Sequence, residues 1–145
     1  MANIALLFSI LCLSFSQLIC FQANAQPTSE FTAGYDYSSG VWKFEGEAYI
    51  SSGTTATSVM QVFGGSSCAI TIMLRVYDGS ITVYRTPVVL SNAYNRWFKV
   101  NVIHDVGVSN LKVYIDSALR YEGFGAGGNN HYFKFGVYAE EGASI

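Results

Sequence analysis

An all-β chain, folded as an antiparallel β-sandwich or jelly roll, is what the sequence predicts, and three observations carry the expectation. Apolar and polar residues alternate with a period of two from Trp42 to Ile50. Asp78-Gly79 stands between two apolar runs, as a hairpin turn does. No helical periodicity occurs beyond the first 25 residues.

Taken in chain order, residues 4–21 are almost unbroken apolar sequence, followed by Ala23-Asn24-Ala25, a small-x-small boundary. Residues 1–25 are therefore expected to be a secretory signal peptide cleaved after Ala25. The run carries no Lys or Arg ahead of it and is close to the length of a membrane span. The small-residue boundary and the polar Gln26-Pro27-Thr28-Ser29 favour removal over anchoring. Trp42, Phe44, Gly46, Ala48 and Ile50 then share one strand face, with Lys43, Glu45, Glu47 and Tyr49 on the other. A Ser/Gly/Thr loop over 51–57 leads to a short strand at 59–63, which ends at Gly64-Gly65-Ser66-Ser67. Strands at 69–77 and 80–84 flank Asp78-Gly79, both of which tolerate positive φ. Further strands are expected at 96–104, 111–115 and, after the Asp116-Ser117 turn, 119–122. A glycine-rich stretch, 123–130, reads as a mobile connection to a last strand opening at His131. Residues 26–145 thus form one domain.

Composition narrows the function. About 120 residues remain after cleavage, enough for one small domain. The formal net charge of −2 lacks the basic excess of a nucleic-acid footprint. Cys12 and Cys20 leave with the signal, so Cys68 stands alone and no internal disulfide is expected. Its expected state is a small buried apolar residue, with a free thiol as the alternative. No Asn-x-Ser/Thr acceptor occurs. His104 and His131 are the only histidines and no cluster has ligand spacing, so neither a metal nor a cofactor is expected. His104 and Asp105 alternate across a strand, which makes His104 structural rather than a base with an orienting carboxylate. Residues 123–128 are followed by a strand, not the helix a phosphate loop requires.

The stretch Tyr132-Phe133-Lys134-Phe135-Gly136-Val137-Tyr138 carries the candidate site. Tyr132, Lys134, Gly136 and Tyr138 share one face, while Phe133, Phe135 and Val137 face the core. Two phenols and an ammonium around a glycine gap suit a concave polar surface for an acidic or sugar-like ligand. The plainer alternative is an amphipathic strand whose polar face is wet.

A family resemblance gives these residues more weight. Gly34-Tyr35-Asp36-Tyr37-Ser38-Ser39-Gly40-Val41-Trp42, Met60-Gln61-Val62-Phe63-Gly64, Leu74-Arg75-Val76-Tyr77, Arg96-Trp97-Phe98, Val102-Ile103-His104-Asp105 and residues 132–138 resemble the plant citrate-binding-protein-like group. That group carries the alginate-lyase-2 domain, which implies a concanavalin-like jelly roll. Lyase members resemble one another in Arg-(Thr/Ser)-Glu-x-Arg, Gln-(Ile/Val)-His and Tyr-Phe-Lys-x-Gly-x-Tyr-x-Gln. They cleave uronate polymers by neutralising a carboxylate, removing the C5 proton and protonating the departing oxygen. By resemblance, Gln61 matches the neutralising glutamine, Tyr138 the acid/base tyrosine and Lys134 the groove lysine.

The departures matter as much as the matches. Phe63 occupies the histidine position and can neither accept a proton nor hydrogen-bond. In Thr28-Ser29-Glu30-Phe31-Thr32 only Glu30 fits and both arginines are missing, while Glu140 replaces the last glutamine. General acid/base work typically contributes ~10²–10⁴ in rate, so robust lyase activity is not expected. Members of the group carry further strands before the arginine motif and after the tyrosine motif, so the chain is expected to be truncated at both ends, with exposed sheet edges. The expected function is a secreted or vacuolar binding protein that holds a small organic anion or acidic polysaccharide. Gln61, Arg75, Tyr132, Lys134 and Tyr138 would line its site, Arg75 subject to strand register. The alternative is a polysaccharide lyase with a degenerate site, in which Gln61 and Tyr138 would act. A silent, truncated product is a third reading. The protein is expected to travel the secretory pathway to cell wall or vacuole as a monomer, with no nucleic-acid partner and no membrane contact once the signal is cleaved.

Overall fold

The protein is seen in a computed structural model that describes residues 20–27 and 36–144, with side chains from 36 to 138. Among the described residues ten strands run in chain order: β1 (Cys20–Pro27), β2 (Val41–Tyr49), β3 (Thr55–Phe63), β4 (Ile70–Tyr77), β5 (Ser80–Val83), β6 (Val88–Leu90), β7 (Trp97–Asp105), β8 (Asn110–Ile115), β9 (Ala118–Phe124) and β10 (Tyr132–Ser144). They form two five-stranded sheets, ordered β1-β2-β7-β8-β9 and β10-β3-β4-β5-β6. All named strand pairs are antiparallel. No helix forms among the described residues.

The period-two pattern explains why the sheets stack. On β2, Phe44, Gly46 and Ala48 are buried, and on β7 and β8 Phe98, Val100, Val102, Leu111, Val113 and Ile115 join them. The facing sheet supplies Val59, Met60, Val62, Ile72, Leu74, Val76, Ile81 and Val83. Burying a branched aliphatic or aromatic side chain is worth ~1.5–3 kcal/mol, so the alternation holds the two layers together. Phe133, Phe135 and Val137 lean on this core from β10, the side that the alternation assigned to them.

Turn chemistry fixes register. Asp78 and Gly79 both adopt positive φ, 46° and 79°, and close the β4–β5 hairpin with Tyr77 opposite Ser80. Asp116 and Ser117, at 49° and 68°, do the same for β8 and β9, with Ile115 opposite Ala118. Positive φ at both central positions is the twist that a two-residue hairpin needs.

Three expectations change. Cys68 is exposed, its thiol donating to the Ile70 carbonyl at 3.0 Å, because the Gly64–Cys68 turn carries it away from the core. The 123–130 stretch is not a loose connection, since Ala126 O accepts from Ser66 N (3.2 Å) and Ser66 Oγ (2.8 Å). Gly64 and Gly128 permit this approach: a Cβ on Gly64 would lie 1.8 Å from Asn130 O and one on Gly128 2.0 Å from Gly64 O. β6 was not foreseen, being three residues long with only Val89 fully buried. The expected cleavage point after Ala25 lies within β1, whose Cys20–Pro27 register runs from Tyr49 to Trp42 of β2. Residues 1–19 of the expected signal lie outside the described residues.

Candidate functional site

β3 and β10 bring the sequence-selected residues together. Their register places Tyr132 opposite Phe63 and Lys134 opposite Gln61, then shifts so that Tyr138 lies opposite Ser58. β4 continues the row, with Met73 opposite Gln61 and Arg75 opposite Ser58. Gln61, Arg75, Tyr132, Lys134 and Tyr138 therefore stand on one face of the second sheet, turned away from the core.

A β-bulge completes that face. Between Ser58 and Met60 the β3–β4 register slips, and both Val59 and Met60 enter the core. Ser58 and Gln61, three residues apart, consequently point the same way, and Gln61 Nε2 donates to Ser58 Oγ at 3.1 Å. Strict alternation would have put Ser58 inside and Val59 on the face, so the sequence pattern missed Ser58. The contact fixes the Gln61 amide, which is only 7% exposed.

Lys134 is the electrostatic centre. Its Nζ lies 4.4 Å from the Phe63 ring centroid, 5.6 Å from that of Tyr132 and 5.8 Å from that of Tyr138. All three are within the ~6 Å at which a ring face attracts a cation. Among the described residues no carboxylate pairs with it. The glycine gap is not open: the Tyr138 ring folds back over Gly136, whose Cβ position would be 3.7 Å from the nearest ring atom. That fold carries Tyr138, still 41% exposed, towards Lys134. Arg75 shares the face but turns along its own strand, donating through Nε to Met73 Sδ (2.8 Å) and through a terminal nitrogen to Tyr77 Oη (3.4 Å). The Arg85 guanidinium lies 4.5 Å above the Tyr77 ring.

Behind the face lies a buried aromatic cluster. Tyr37 stacks on Trp42 at 4.7 Å and meets His104, His131 and Phe133 edge-on or tilted. Burial pushes the Tyr37 phenol far above its ordinary range, so it stays protonated, and it shares a hydrogen bond of 3.0 Å with His104 Nδ1. Burial, with the neighbouring His131 adding to it, lowers His104 to about 4. Asp105 does not orient His104, since its carboxylate accepts from Gly107 N. His104 is thus structural, as the alternation indicated. His131 sits 3.3 Å from Phe63 O and 3.2 Å from Gly128 O, fastening the end of β3 to the loop before β10. Glu30, and the side chain of Glu140, lie outside the described residues. Among the described residues no group of His, Cys, Asp and Glu could hold a metal ion.

Comparison with known proteins gives this face a setting. Residues 22–144 match the family model of the alginate lyases (alginate lyase 2). The citrate-binding protein of Hevea brasiliensis is 45% identical over 106 residues, 73% of this chain and 44% of that protein. The chain therefore spans less than half the length of that relative. The alginate lyase AlgAT5 of polysaccharide lyase family 7 superposes with a TM-score of 0.59 at 18% identity, covering 86% of this chain and 61% of that one. An alginate lyase from Corynebacterium sp. gives 0.57 at 17% identity, covering 76% and 53%. At such identities the likeness shows a common fold, the jelly roll.

Proposed function

This chain belongs to the alginate lyase family, and from that premise we propose that it is a binding protein which holds an organic anion or acidic carbohydrate on the β10-β3-β4 face. The observation that carries the reading is Lys134. Its ammonium has three aromatic rings around it, the Gln61 amide opposite it in register and no carboxylate paired with it among the described residues. A cation seated on ring faces keeps its charge and offers its remaining N–H donors to a carboxylate. Tyr132 and Tyr138 supply flat apolar surface for the carbon skeleton of a ligand, with hydroxyls at the edge. The name of the Hevea relative supports the same class of ligand. The protein reaches its ligand through the secretory pathway, after cleavage behind Ala25.

The second reading, a lyase with a degenerate site, draws on Gln61 and Tyr138 standing on one face. Phe63 weighs against it. Its ring packs on Tyr132 at 5.1 Å and leans on the Lys134 ammonium, where elimination needs a proton acceptor. Calorimetric titration with citrate and with oligouronates tests the first reading, and absorbance of unsaturated products from polyuronates tests the second. Binding without product supports the proposal. Turnover of order 1 per second or faster would replace it with the lyase reading.

A further inference from the structure

We propose that Phe63 is a positioning residue: its ring holds the Lys134 ammonium in place and thereby sets how tightly the face binds an anion. The inference rests on the anion-binding reading above. Of the three rings around Nζ, Phe63 is nearest, at 4.4 Å against 5.6 and 5.8 Å. It lies diagonal to Lys134, one register step beyond Gln61, so the long lysine stem must lean along β3 to reach it. A lysine on a bare sheet face samples many rotamers and loses that freedom on binding. A ring that attracts the ammonium beforehand removes part of the loss, which is the logic of preorganisation.

The ring is itself held. Tyr132, directly opposite in the ladder, packs against it at 5.1 Å with 31° between the planes. Its backbone is tied by His131 at the Phe63 carbonyl and by the Gly64 N–H donating to Ala69 O at 2.8 Å. A phenyl group suits this role better than an ionisable ring. It presents a negative quadrupole face, has no proton to gain and so never becomes a competing cation beside Lys134.

The test uses the secreted protein with tetragalacturonate and citrate as probes, and two readouts. In the ligand-free protein, NMR should find the Lys134 ε-methylene protons shifted upfield by ring currents. Phe63→Leu should move them towards ordinary lysine values and Phe63→Tyr should keep them shifted. Affinity for the probes should fall roughly three- to thirtyfold in Phe63→Leu, the span of exposed to desolvated cation–π contacts, and stay within about twofold of the parent in Phe63→Tyr. In a Lys134→Met background, Phe63→Leu should have no further effect on affinity. A purely structural role would weaken binding in that background too and would overturn the proposal. Equal affinity of parent and Phe63→Leu, or ordinary lysine shifts in the parent, would also overturn it. If the parent binds neither probe, the anion-binding reading fails, and the positioning of Lys134 is decided by the NMR arm alone.

Discussion

Acid should destabilise this protein through His104, well before its carboxylates are protonated. The side chain is 1% exposed, shares a hydrogen bond with Tyr37 and packs edge-on to His131 at 4.6 Å. Its pKa falls from 6.5 to about 4, chiefly by burial. The unfolded chain therefore binds a proton below about pH 6.5 that the folded protein refuses until about pH 4. Stability is complete above the unfolded value and is lost as pH falls between the two. At about 1.4 kcal/mol per pKa unit, roughly 2 kcal/mol should be gone by pH 5 and about 3 kcal/mol below pH 4. Glu45 acts lower on the scale. Its carboxyl is lowered from 4.5, first by hydrogen bonds from Lys43 and Asn101, so its contribution is lost only as pH falls below that value. Urea unfolding at pH 7.5, 6 and 5 isolates the histidine. In His104→Phe, stability at pH 7.5 should drop by ~1–3 kcal/mol, because the buried Tyr37 hydroxyl loses its hydrogen-bond partner, but the decline towards pH 5 should be shallower by about 2 kcal/mol. Parallel pH profiles for parent and variant would refute the reasoning.

Other outcomes follow from the same geometry. Lys134→Ala should weaken anion binding by roughly 1.5–3 kcal/mol while leaving the melting temperature nearly unchanged, as calorimetric titration and thermal melts would show. Phe135→Ala, which removes a ring packed on Phe44 at 4.8 Å, should do the reverse, at about 3 kcal/mol of stability because the side chain is only half-buried. Gly79→Ala meets a positive φ and the Tyr94 ring 3.0 Å from the new Cβ. It should lower stability by about 1 kcal/mol or more in denaturant melts. Mass spectrometry of secreted protein should find Gln26 at the amino terminus, and recovery of the intact apolar segment in membranes would contradict the signal-peptide expectation.

The fold was legible because burial and turn chemistry are local. Phe44 to Ile50 alternate because one face of β2 meets the other sheet, and Asp78-Gly79 announces its hairpin in two residues. Arg75 could be placed only once the register was known, because its partner Ser58 comes from β3, a different strand of the sheet. Ser58 was hidden by the bulge, which no alternation predicts. The phrase Gly-Val-Tyr gave no sign that Tyr138 would lie over Gly136. Phe63 was read as the loss of a base. Its nearness to the Lys134 ammonium is a gain that appears only when β3 and β10 are side by side.

The bulge at Val59-Met60 gives β3 something like a reading frame. Downstream of it, odd-numbered Gln61 and Phe63 face outwards; upstream, even-numbered Ser58 does. Point substitutions at 61 or 63 can therefore alter the chemistry of the outer face while the core letters, Met60 and Val62, stay as they are. Deleting a single residue has two different outcomes. Taking out Val59 removes the bulge and leaves Ser58 outside and Met60 inside in strict alternation, whereas taking out a residue downstream, such as Gln61, exchanges inside for outside along one half of the strand. A lineage carrying this fold can revise its surface one letter at a time, but it cannot change the frame without rewriting the sheet.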